Sequence, residues 1–243
     1  MRSTRSIKFA LVAGALVTAL VTSALSFAAV TDPYIPTTTG YDVSYPQCPG
    51  SVAPAGRFGI VGLNGGKPFT YNSCLSAEYK AAPKSPAPSL YINTGYAGAY
   101  RKSISSSCSS QSTAVAGTSA QKQAWAIGCS EAETSLAYAA RKGATSVAMW
   151  WLDVEPANSW STSDLTLNQQ AIQGALSRLN QTGLPVGVYS NKSMWTAITG
   201  GNFTPTGQAA DWVASGTCST PFTTSPVWLV QTVVGGVDTN YAC

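Results

Sequence analysis

Short apolar runs alternate with amphipathic segments along most of the chain, which is the pattern of repeated β-α units. Buried strands are predicted at residues 58–63, 90–94, 147–156 and 186–190, after an extended segment at 40–46. Helices are predicted at residues 74–82, 130–143, 163–182 and 192–199. Three strand-like segments follow without room for ordinary helices, at residues 210–214, 227–233 and 237–241. The pattern predicts one α/β domain over residues 40–243, an irregular TIM-type barrel of about five β-α units followed by three strands.

The helix predicted at residues 130–143 has signals at both ends. Ser130 and Glu133 form a capping box, and Gly143 supplies a stop. The segment before it, residues 103–119, is dominated by serine. We expect this segment to be a long loop at the rim of the barrel, held by Cys108. It is either a tolerated insertion or a mobile flap over a cleft.

The N-terminus has the features of an export signal. Basic residues precede an apolar run at residues 9–25, and the small-x-small pattern Ser26-Phe27-Ala28 follows. We predict a signal peptide at residues 1–29, cleaved near Ala28 or Ala29, and a short leader segment at residues 30–39. The mature protein would be secreted, without stable membrane insertion. An uncleaved membrane anchor is the alternative.

Charge argues against a nucleic-acid partner. The chain has 14 Lys and Arg against 10 Asp and Glu. Cleavage of the signal peptide would remove Arg2, Arg5 and Lys8, leaving a net charge of +1. A value this small gives no electrostatic footprint for nucleic acid.

Six cysteines lie in the part predicted to be exported, and an even number in an oxidising compartment favours three disulfides. Sequence leaves 15 pairings open. We expect nearest neighbours to pair, each bond tying loops at one rim of the barrel: Cys48 with Cys74, Cys108 with Cys129, and Cys218 with Cys243. A zinc site is the competing interpretation, but the chain has no histidine and no Cys-x-x-Cys.

The absence of histidine also restricts the chemistry. It excludes a Ser-His-Asp triad, a Cys-His pair and a His-ligated metal, which leaves carboxylate chemistry. Asp153 and Glu155 end a buried strand and, two residues apart, face the same side. Carboxyl groups this close do not ionise independently, so one is expected to hold a proton at neutral pH, as a general acid must.

Other acidic residues differ in their predicted positions. Asp42 and Asp238 lie at or near strand ends, where a parallel barrel keeps its chemistry. Asp211 is a further possibility, although a solvated strand start is the preferred interpretation. Four residues are expected on helix surfaces or caps: Glu78, Glu131, Glu133 and Asp164.

Aromatic residues near the predicted barrel mouth suit a sugar, because aromatic faces stack on sugar rings while carboxylates bond hydroxyl groups. Some of these residues must be core. An oxygen-ligated Mg²⁺ or Ca²⁺ site is the chemical alternative. The aromatic residues in question are Tyr41, Tyr45, Trp150, Trp151, Tyr189, Trp195 and Trp228.

Several motifs together resemble glycoside hydrolase family 25, the lysozymes that cleave peptidoglycan between N-acetylmuramic acid and N-acetylglucosamine. The sequence Asp42-Val43-Ser44-x-x-Gln47 resembles that family's opening motif, and Asp153-Val154-Glu155 resembles its Asp-x-Glu strand. A Gly-x-Tyr-Ser strand at residues 187–190 and a closing segment at residues 228–240 keep the same order.

The resemblance implies an irregular barrel of five β-α units plus three strands. It also implies that Glu155 protonates the leaving glycosidic oxygen. Asp153 would stabilise positive charge or orient the substrate's N-acetyl group, and Asp42 and Asp238 would complete an acidic floor. We expect a monomer that binds a polysaccharide and needs no metal or cofactor. Its expected substrate contacts are Tyr41, Tyr45, Trp151, Tyr189, Trp228 and Gln231.

The chain departs from the family pattern in its third strand, at residues 91–94, and in the turn at residues 64–66. It therefore looks like a divergent branch, similar to secreted actinobacterial glycoside-hydrolase-like domains. Two further functions stay open beside the glycosidase. One is a cell-wall or carbohydrate-binding pseudoenzyme, and the other is a metal-dependent phosphodiesterase.

Overall fold

Eight strands follow one another around a closed barrel in the order of the sequence, as seen in a computed structural model that describes residues 30–48 and 54–243. β1 to β7 are parallel, and β8 pairs antiparallel with both β7 and β1, which closes the sheet. The strands are β1 (Thr39–Val43), β2 (Gly59–Gly62), β3 (Ser89–Asn93), β4 (Trp150–Asp153), β5 (Val186–Ser190), β6 (Asp211–Ala214), β7 (Val227–Val234) and β8 (Val237–Ala242).

In the described residues, five α-helices lie between β2 and β6, two of them between β3 and β4, and a short 3₁₀ helix at Tyr45–Gln47 follows β1. Among these residues, no helix lies between β6, β7 and β8. The predicted class, an irregular α/β barrel of TIM type whose last three strands have no helices between them, is therefore confirmed. No helix in the described ranges is long and apolar enough to cross a membrane. The predicted signal peptide lies outside the described residues. The helices are α1 (Leu75–Ala81), α2 (Ser106–Ser112), α3 (Ser119–Arg141), α4 (Leu165–Asn180) and α5 (Lys192–Thr199).

Alternation along each strand divides the core into two layers. Trp151 packs inside the barrel, in a cluster with Met149, Trp212 and Leu229. Its neighbour Trp150 belongs to the outer cluster, between the sheet and the helices. On β4, the face that carries Trp151 therefore also carries Asp153 to the carboxyl end of the barrel.

The predicted leader segment closes the opposite end of the barrel. Tyr34 is buried there against Phe58, with ring centroids 4.6 Å apart. Its hydroxyl group hydrogen-bonds Ser89 Oγ at 2.6 Å and accepts a 2.9 Å bond from Trp151 Nε1. Residues near Tyr34 thus form the floor of the barrel, and Trp151 fills the space between that floor and the carboxylates.

The prediction for the start of α3 was wrong. The helix begins at Ser119, where Thr118 and Gln121 form the capping box: Thr118 Oγ1 accepts from Gln121 N at 3.2 Å and Gln121 Oε1 accepts from Thr118 N at 2.8 Å. Ser130 is buried inside the helix, where its hydroxyl donates to Ala126 O at 2.7 Å. A serine followed by an acid at the third position is a start signal only when the preceding turn is not helical.

The serine-rich segment is also more ordered than a loop. It forms α2, capped by Ser105, whose side chain accepts from Cys108 N at 3.1 Å. Ser105 N in turn donates to Ser130 Oγ on α3 at 2.9 Å. The segment is therefore attached to the helical coat, and the expectation of a rim loop is wrong.

The three disulfides pair as expected: Cys48 with Cys74, Cys108 with Cys129, and Cys218 with Cys243. Their expected position at one rim was wrong. Cys48 follows β1 at the carboxyl end of the barrel, whereas Cys243 follows the antiparallel β8 at the opposite end, where its N–H donates to Trp228 O at the start of β7. Cys108 lies on α2 and Cys129 on α3, so that bond joins two helices. The described residues contain no free cysteine.

Candidate active site

Four acidic side chains reach one cavity at the carboxyl ends of the parallel strands. Asp42 comes from the inward face of β1, Asp153 ends β4, Glu155 follows two residues later, and Asp238 lies at the start of the antiparallel β8. The cavity measures about 210 Å³ and is also lined by Tyr91, Tyr189, Trp212 and Gln231.

Asp153 is the buried member of a carboxyl pair. Its side chain is 5% exposed and accepts a hydrogen bond from Asn93 Nδ2 at the end of β3. Glu155 is half-buried and lines the same cavity. Asp153 Oδ1 is buried without a hydrogen-bond partner among the described residues.

Burial favours the protonated form of both carboxyl groups. Removal from water raises the pKa of Asp153 well above its ordinary value, and the negative charges of Glu155 and Asp42 raise it further. Burial also raises the pKa of Glu155, the member nearer to solvent. Each carboxyl group therefore affects the titration of the other.

The backbone after β4 fixes the position of Glu155. Its carbonyl oxygen accepts bonds from Trp160 Nε1 at 2.8 Å and Asn158 N at 3.1 Å. Asn158 Nδ2 also donates to the carbonyl oxygen of Asp153 at 3.1 Å. The turn beyond the strand is thus held by its own residues. β4 itself ends at Asp153, short of the predicted 147–156.

Asp42 is held by two amide donors from the last two strands. Its Oδ2 accepts from Gln231 Nε2 at 2.9 Å and from Asn240 Nδ2 at 2.7 Å. These bonds lower the pKa of Asp42, but burial has the larger effect and raises it to about 7. Trp212 Nε1 orients Asn240 at 2.8 Å, and the Tyr189 hydroxyl donates to Gln231 Oε1 at 2.7 Å.

Asp238 is half-buried, and burial raises its pKa above the ordinary value. Its charge in turn raises the pKa values of Asp42 and Glu155. The four carboxyl groups therefore affect one another. Such mutual repulsion favours retention of protons at neutral pH.

The expected substrate contacts separate into different environments. Tyr189 and Gln231 line the cavity, and Tyr45 is 47% exposed after β1. Tyr41 is 1% exposed and points outward to the helices, because it alternates with the inward Asp42. A substrate contact by Tyr41 is therefore a wrong expectation.

Trp151 and Trp228 also belong to the core. Trp151 is fully buried beneath Asp153, and Trp228 is 9% exposed near the start of β7, at the opposite end from the cavity. Neither tryptophan offers a face to a ligand at the mouth. An apolar aromatic side chain on the inward face of a small barrel fills the barrel interior unless it lies at a strand end.

Sequence reasoning missed four residues of this site: Tyr91, Asn93, Trp212 and Asn240. Asn93 occupies the carboxyl end of β3, and Asn240 lies two residues after Asp238 on the same strand face. The strand alternation that predicted the acidic residues at the cavity also predicts Asn93 and Asn240 there, because the side chains of these amides lie on the inward face of their strands.

Three acidic residues do not lie where they were expected. Glu131 and Glu78 are buried at 2% and 8% exposure rather than at a helix surface. Asp211 is fully buried at the amino end of β6, where it accepts bonds from Phe222 N at 2.8 Å and Thr223 N at 2.9 Å. It anchors the β6–β7 connection, so neither the cavity nor a solvated strand start describes it.

No group of three or more His, Cys, Asp or Glu side chains is placed to hold a metal ion within residues 30–48 and 54–243. The polar groups at the cavity are instead paired with one another as acceptor carboxylates and donor amides. This arrangement is suited to holding and moving protons.

An eight-stranded β/α barrel with acidic side chains at the carboxyl ends of its strands has the architecture of a barrel enzyme. The profile of a family described as "Lys-1: Lysozyme-like protein 1" matches residues 119–220, from α3 to just beyond β6. A search of curated proteins found no match to the sequence.

Three solved structures share the fold. A muramidase from Trichobolus zukalii has 16% identity and a TM-score of 0.53, over 84% of this chain and 93% of that one. A bacterial lysozyme from Streptomyces coelicolor has 17% identity and a TM-score of 0.51, over 84% and 91%. A family GH25 lysozyme from Aspergillus fumigatus has 14% identity and a TM-score of 0.53, over 85% and 93%. The resemblance to family 25 is therefore confirmed for the fold.

Proposed function

We propose that this protein is a secreted glycosidase that hydrolyses β-1,4 bonds of peptidoglycan or a related N-acetylated glycan. The observation that carries the proposal is the convergence of Asp153, Glu155, Asp42 and Asp238 on one cavity at the carboxyl end of the barrel. The muramidase and lysozyme names of the structural relatives support this substrate class. Three disulfides support an oxidising, extracellular location for a monomeric chain.

The two carboxyl groups would have different roles because their environments differ. Glu155 is the member nearer to solvent, so a glycosidic oxygen at the mouth of the cavity meets it first. The pair would hold one proton, which Glu155 donates to that oxygen. The bond to the anomeric carbon breaks, and its electrons stay on the leaving oxygen.

Both carboxyl groups of the pair are then ionised. The buried Asp153 carboxylate next to the reacting carbon would stabilise the positive charge that develops there, since water does not screen it. Water completes the reaction by adding to the anomeric carbon, and its proton returns to Glu155. Asp42 and Asp238 would bind sugar hydroxyl groups or the N-acetyl group at the rest of the cavity.

The size of the cavity sets how the glycan would lie. Its volume of about 210 Å³ is below the usual range for a pocket that encloses a ligand. The chain of sugars would therefore cross the mouth, with one ring dipping toward the carboxyl pair. Tyr45 is exposed beside this mouth and is proposed to contact a neighbouring sugar.

The test is the release of reducing sugar ends from purified cell walls by residues 30–243 and by a Glu155→Gln variant. General acid catalysis is worth roughly 100- to 10,000-fold, so the variant is expected to lose at least about 100-fold in kcat. Glu133→Gln, in the half-buried residue that pairs with Arg178 at 3.8 Å, is the matched control and should keep full activity. Wild-type kcat/KM should follow a bell-shaped pH profile.

The competing function is a carbohydrate-binding pseudoenzyme, which the small cavity favours. Wild-type protein that pellets with the walls but releases no reducing ends would contradict the glycosidase and support the binder. Full activity in Glu155→Gln would contradict the role of that residue while leaving hydrolysis in place.

A further inference from the structure

Glu131 is a buried acidic residue that lies outside the cavity. It lies within α3, and its carboxylate accepts bonds from Asn64 Nδ2 at 2.8 Å, Ser135 Oγ at 3.2 Å and the backbone N–H of Phe69. No basic side chain in the described ranges forms an ion pair with it. Burial raises the pKa of Glu131 to about 7, although the three donors oppose this. Burial of an acidic side chain without a basic partner costs free energy, and the hydrogen bonds from the three donors offset part of this cost.

Asn64 links this carboxyl group to the next strand through hydrogen bonds at both ends of its side-chain amide. The residue is 1% exposed and follows β2. Its Nδ2 donates to Glu131, and its Oδ1 accepts from the backbone N–H of Asn93 at 2.8 Å. Glu131 Oε1 accepts from Asn64 Nδ2 and Oε2 accepts from the Phe69 N–H, so both carboxyl oxygens act as acceptors and the NH₂ end of the Asn64 amide faces them. The carbonyl end is thereby directed to Asn93.

Asn93 connects this chain of bonds to the cavity. It is the last residue of β3 and pairs in register with Asp153 on β4. Its backbone N–H is held by Asn64, while its side-chain Nδ2 donates to Asp153 Oδ2. A continuous set of hydrogen bonds therefore runs from Glu131 on α3 to the Asp153–Glu155 pair.

We propose that Glu131 is a positioning residue, which acts through Asn64 and Asn93 to hold the Asp153 carboxyl group in its orientation beside Glu155 at the cavity. The importance of that orientation for turnover rests on the function proposed above, but the hydrogen-bonded chain is a property of the protein alone. If position 131 donates a hydrogen bond to Asn64 instead of accepting one, Asp153 would move or lose the bond from Asn93.

Glu131→Gln tests this polarity with almost no change of shape. The new amide group presents an N–H to either Asn64 Nδ2 or the Phe69 N–H, so two donors face each other. If the Asn64 amide turns over to relieve this, its NH₂ group faces the N–H of Asn93 instead. Either way the support of Asn93 is disturbed, and the disturbance costs more than the loss of one bond.

The double variant Glu131→Gln/Asn64→Asp should restore the series of hydrogen bonds, with the donor now at position 131 and the acceptor at position 64. The amide at position 131 then donates to the carboxylate at position 64, whose other oxygen accepts from Asn93 N–H. The Phe69 N–H keeps an acceptor in the amide oxygen at position 131. Glu133→Gln, which alters the same helix at a half-buried position, is the control.

The readout is the titration of the Asp153 and Glu155 carboxyl groups by carbon NMR. The donor from Asn93 lowers the pKa of Asp153, so its displacement raises the apparent pKa values of the pair. We expect a rise of about half a unit or more in Glu131→Gln, a return in the double variant and no change in Glu133→Gln. The titratable groups that face the pair, Asp42, Tyr91, Tyr189 and Asp238, are the same in all variants.

A merely structural role predicts a different outcome. Glu131→Gln would then lower the melting temperature and leave the titration of the pair unchanged, which overturns the proposal. If Glu131→Gln does not fold, Asn64→Ala removes the middle of the chain while Glu131 keeps its bonds from Phe69 and Ser135. The same upward shift is expected there, and its absence also overturns the proposal.

The titration separates this proposal from the proposed function. In an active protein, the alkaline limb of the kcat/KM profile should move upward together with the NMR values in Glu131→Gln. If the wild type has no hydrolytic activity but the carboxyl titration shifts as expected, the positioning role of Glu131 stands and the glycosidase proposal fails.

Discussion

Asp42 shows how one buried side chain links the site to stability. Its pKa rises from an ordinary 3.8 to about 7 in the folded protein. The folded chain therefore binds this proton more tightly than the unfolded chain does. The contribution of Asp42 to folding is most favourable below about pH 4 and becomes less favourable as pH rises to about 7.

Asp42→Asn should remove this pH-dependent cost. The variant keeps an acceptor oxygen for Gln231 and Asn240, so we expect a gain of about 2 kcal/mol in unfolding free energy at pH 8, fading below pH 4. Denaturant unfolding at several pH values measures it. Asp164→Asn, at the exposed N-cap of α4, is the control for an Asp-to-Asn change outside the cavity, because asparagine also caps helices. A difference between Asp42→Asn and wild type that does not change with pH would contradict the assignment.

At the scale of elements, α3 and α4 are in contact through glycine. A Cβ atom added to Gly128 would lie 1.8 Å from Ala171 O, and one added to Gly174 would lie 2.0 Å from Trp125 O. These contacts are with backbone atoms, so no side chain can rotate away to make room. The helices approach this closely only because both positions lack a side chain.

Gly128→Ala should therefore destabilise the protein by about 3 kcal/mol or more, despite a gain of about 1 kcal/mol in helix propensity. Thermal and denaturant unfolding measure the loss. Gly98→Ala is the control, because no atom lies within 4 Å of an added Cβ there, and its effect should stay within about 0.5 kcal/mol. Equal stability of Gly128→Ala and wild type would rule out the close helix contact.

At the scale of the whole molecule, the antiparallel β8 closes the barrel and Cys243 fastens its end. This residue bonds Cys218 across 25 positions of sequence, and its backbone N–H donates to Trp228 O at 2.9 Å. In the chain-entropy view, a crosslink of this length limits the unfolded state and contributes about 3 kcal/mol to stability.

The double variant Cys218→Ser/Cys243→Ser should accordingly lose about 3 kcal/mol in unfolding free energy. Cys108→Ser/Cys129→Ser spans 21 positions and is expected to lose nearly as much, because the cost of loop closure changes slowly with length. Unfolding of both variants in parallel provides the comparison. No loss in either would show that the crosslinks do not limit the unfolded chain.

Alternation and helical period predicted much of the fold because both are properties of neighbouring residues. The strand at Val186–Ser190 and the helix at Lys192–Thr199 match the predicted bounds. The start of α3 did not, since Ser130 has the sequence of a cap but lies inside a helix that begins at Ser119. Whether the turn before such a serine is helical decides whether the serine caps a helix or lies inside one.

For the candidate site, alternation indicated that Asp153 and Glu155 share a face, and the structure brings them to one cavity with Asp42 and Asp238. The same rule, applied to Tyr41, would have turned it away from the cavity. Alternation does not predict the hydrogen bond of Glu131, because its partner Asn64 is 67 positions away in sequence. Burial of an acid within a helix depends on what the rest of the chain packs against it.

By itself, the sequence determined the order of strands and helices and the restriction to carboxylate chemistry, since these follow from local pattern and from the absence of histidine. Tertiary structure alone decided which aromatic residues became core, which carboxyl group of the cavity is most buried and how Glu131 connects to Asp153. The physical reason is that pKa values and hydrogen-bond polarity depend on desolvation and on donors contributed by distant segments, which meet only when the barrel closes.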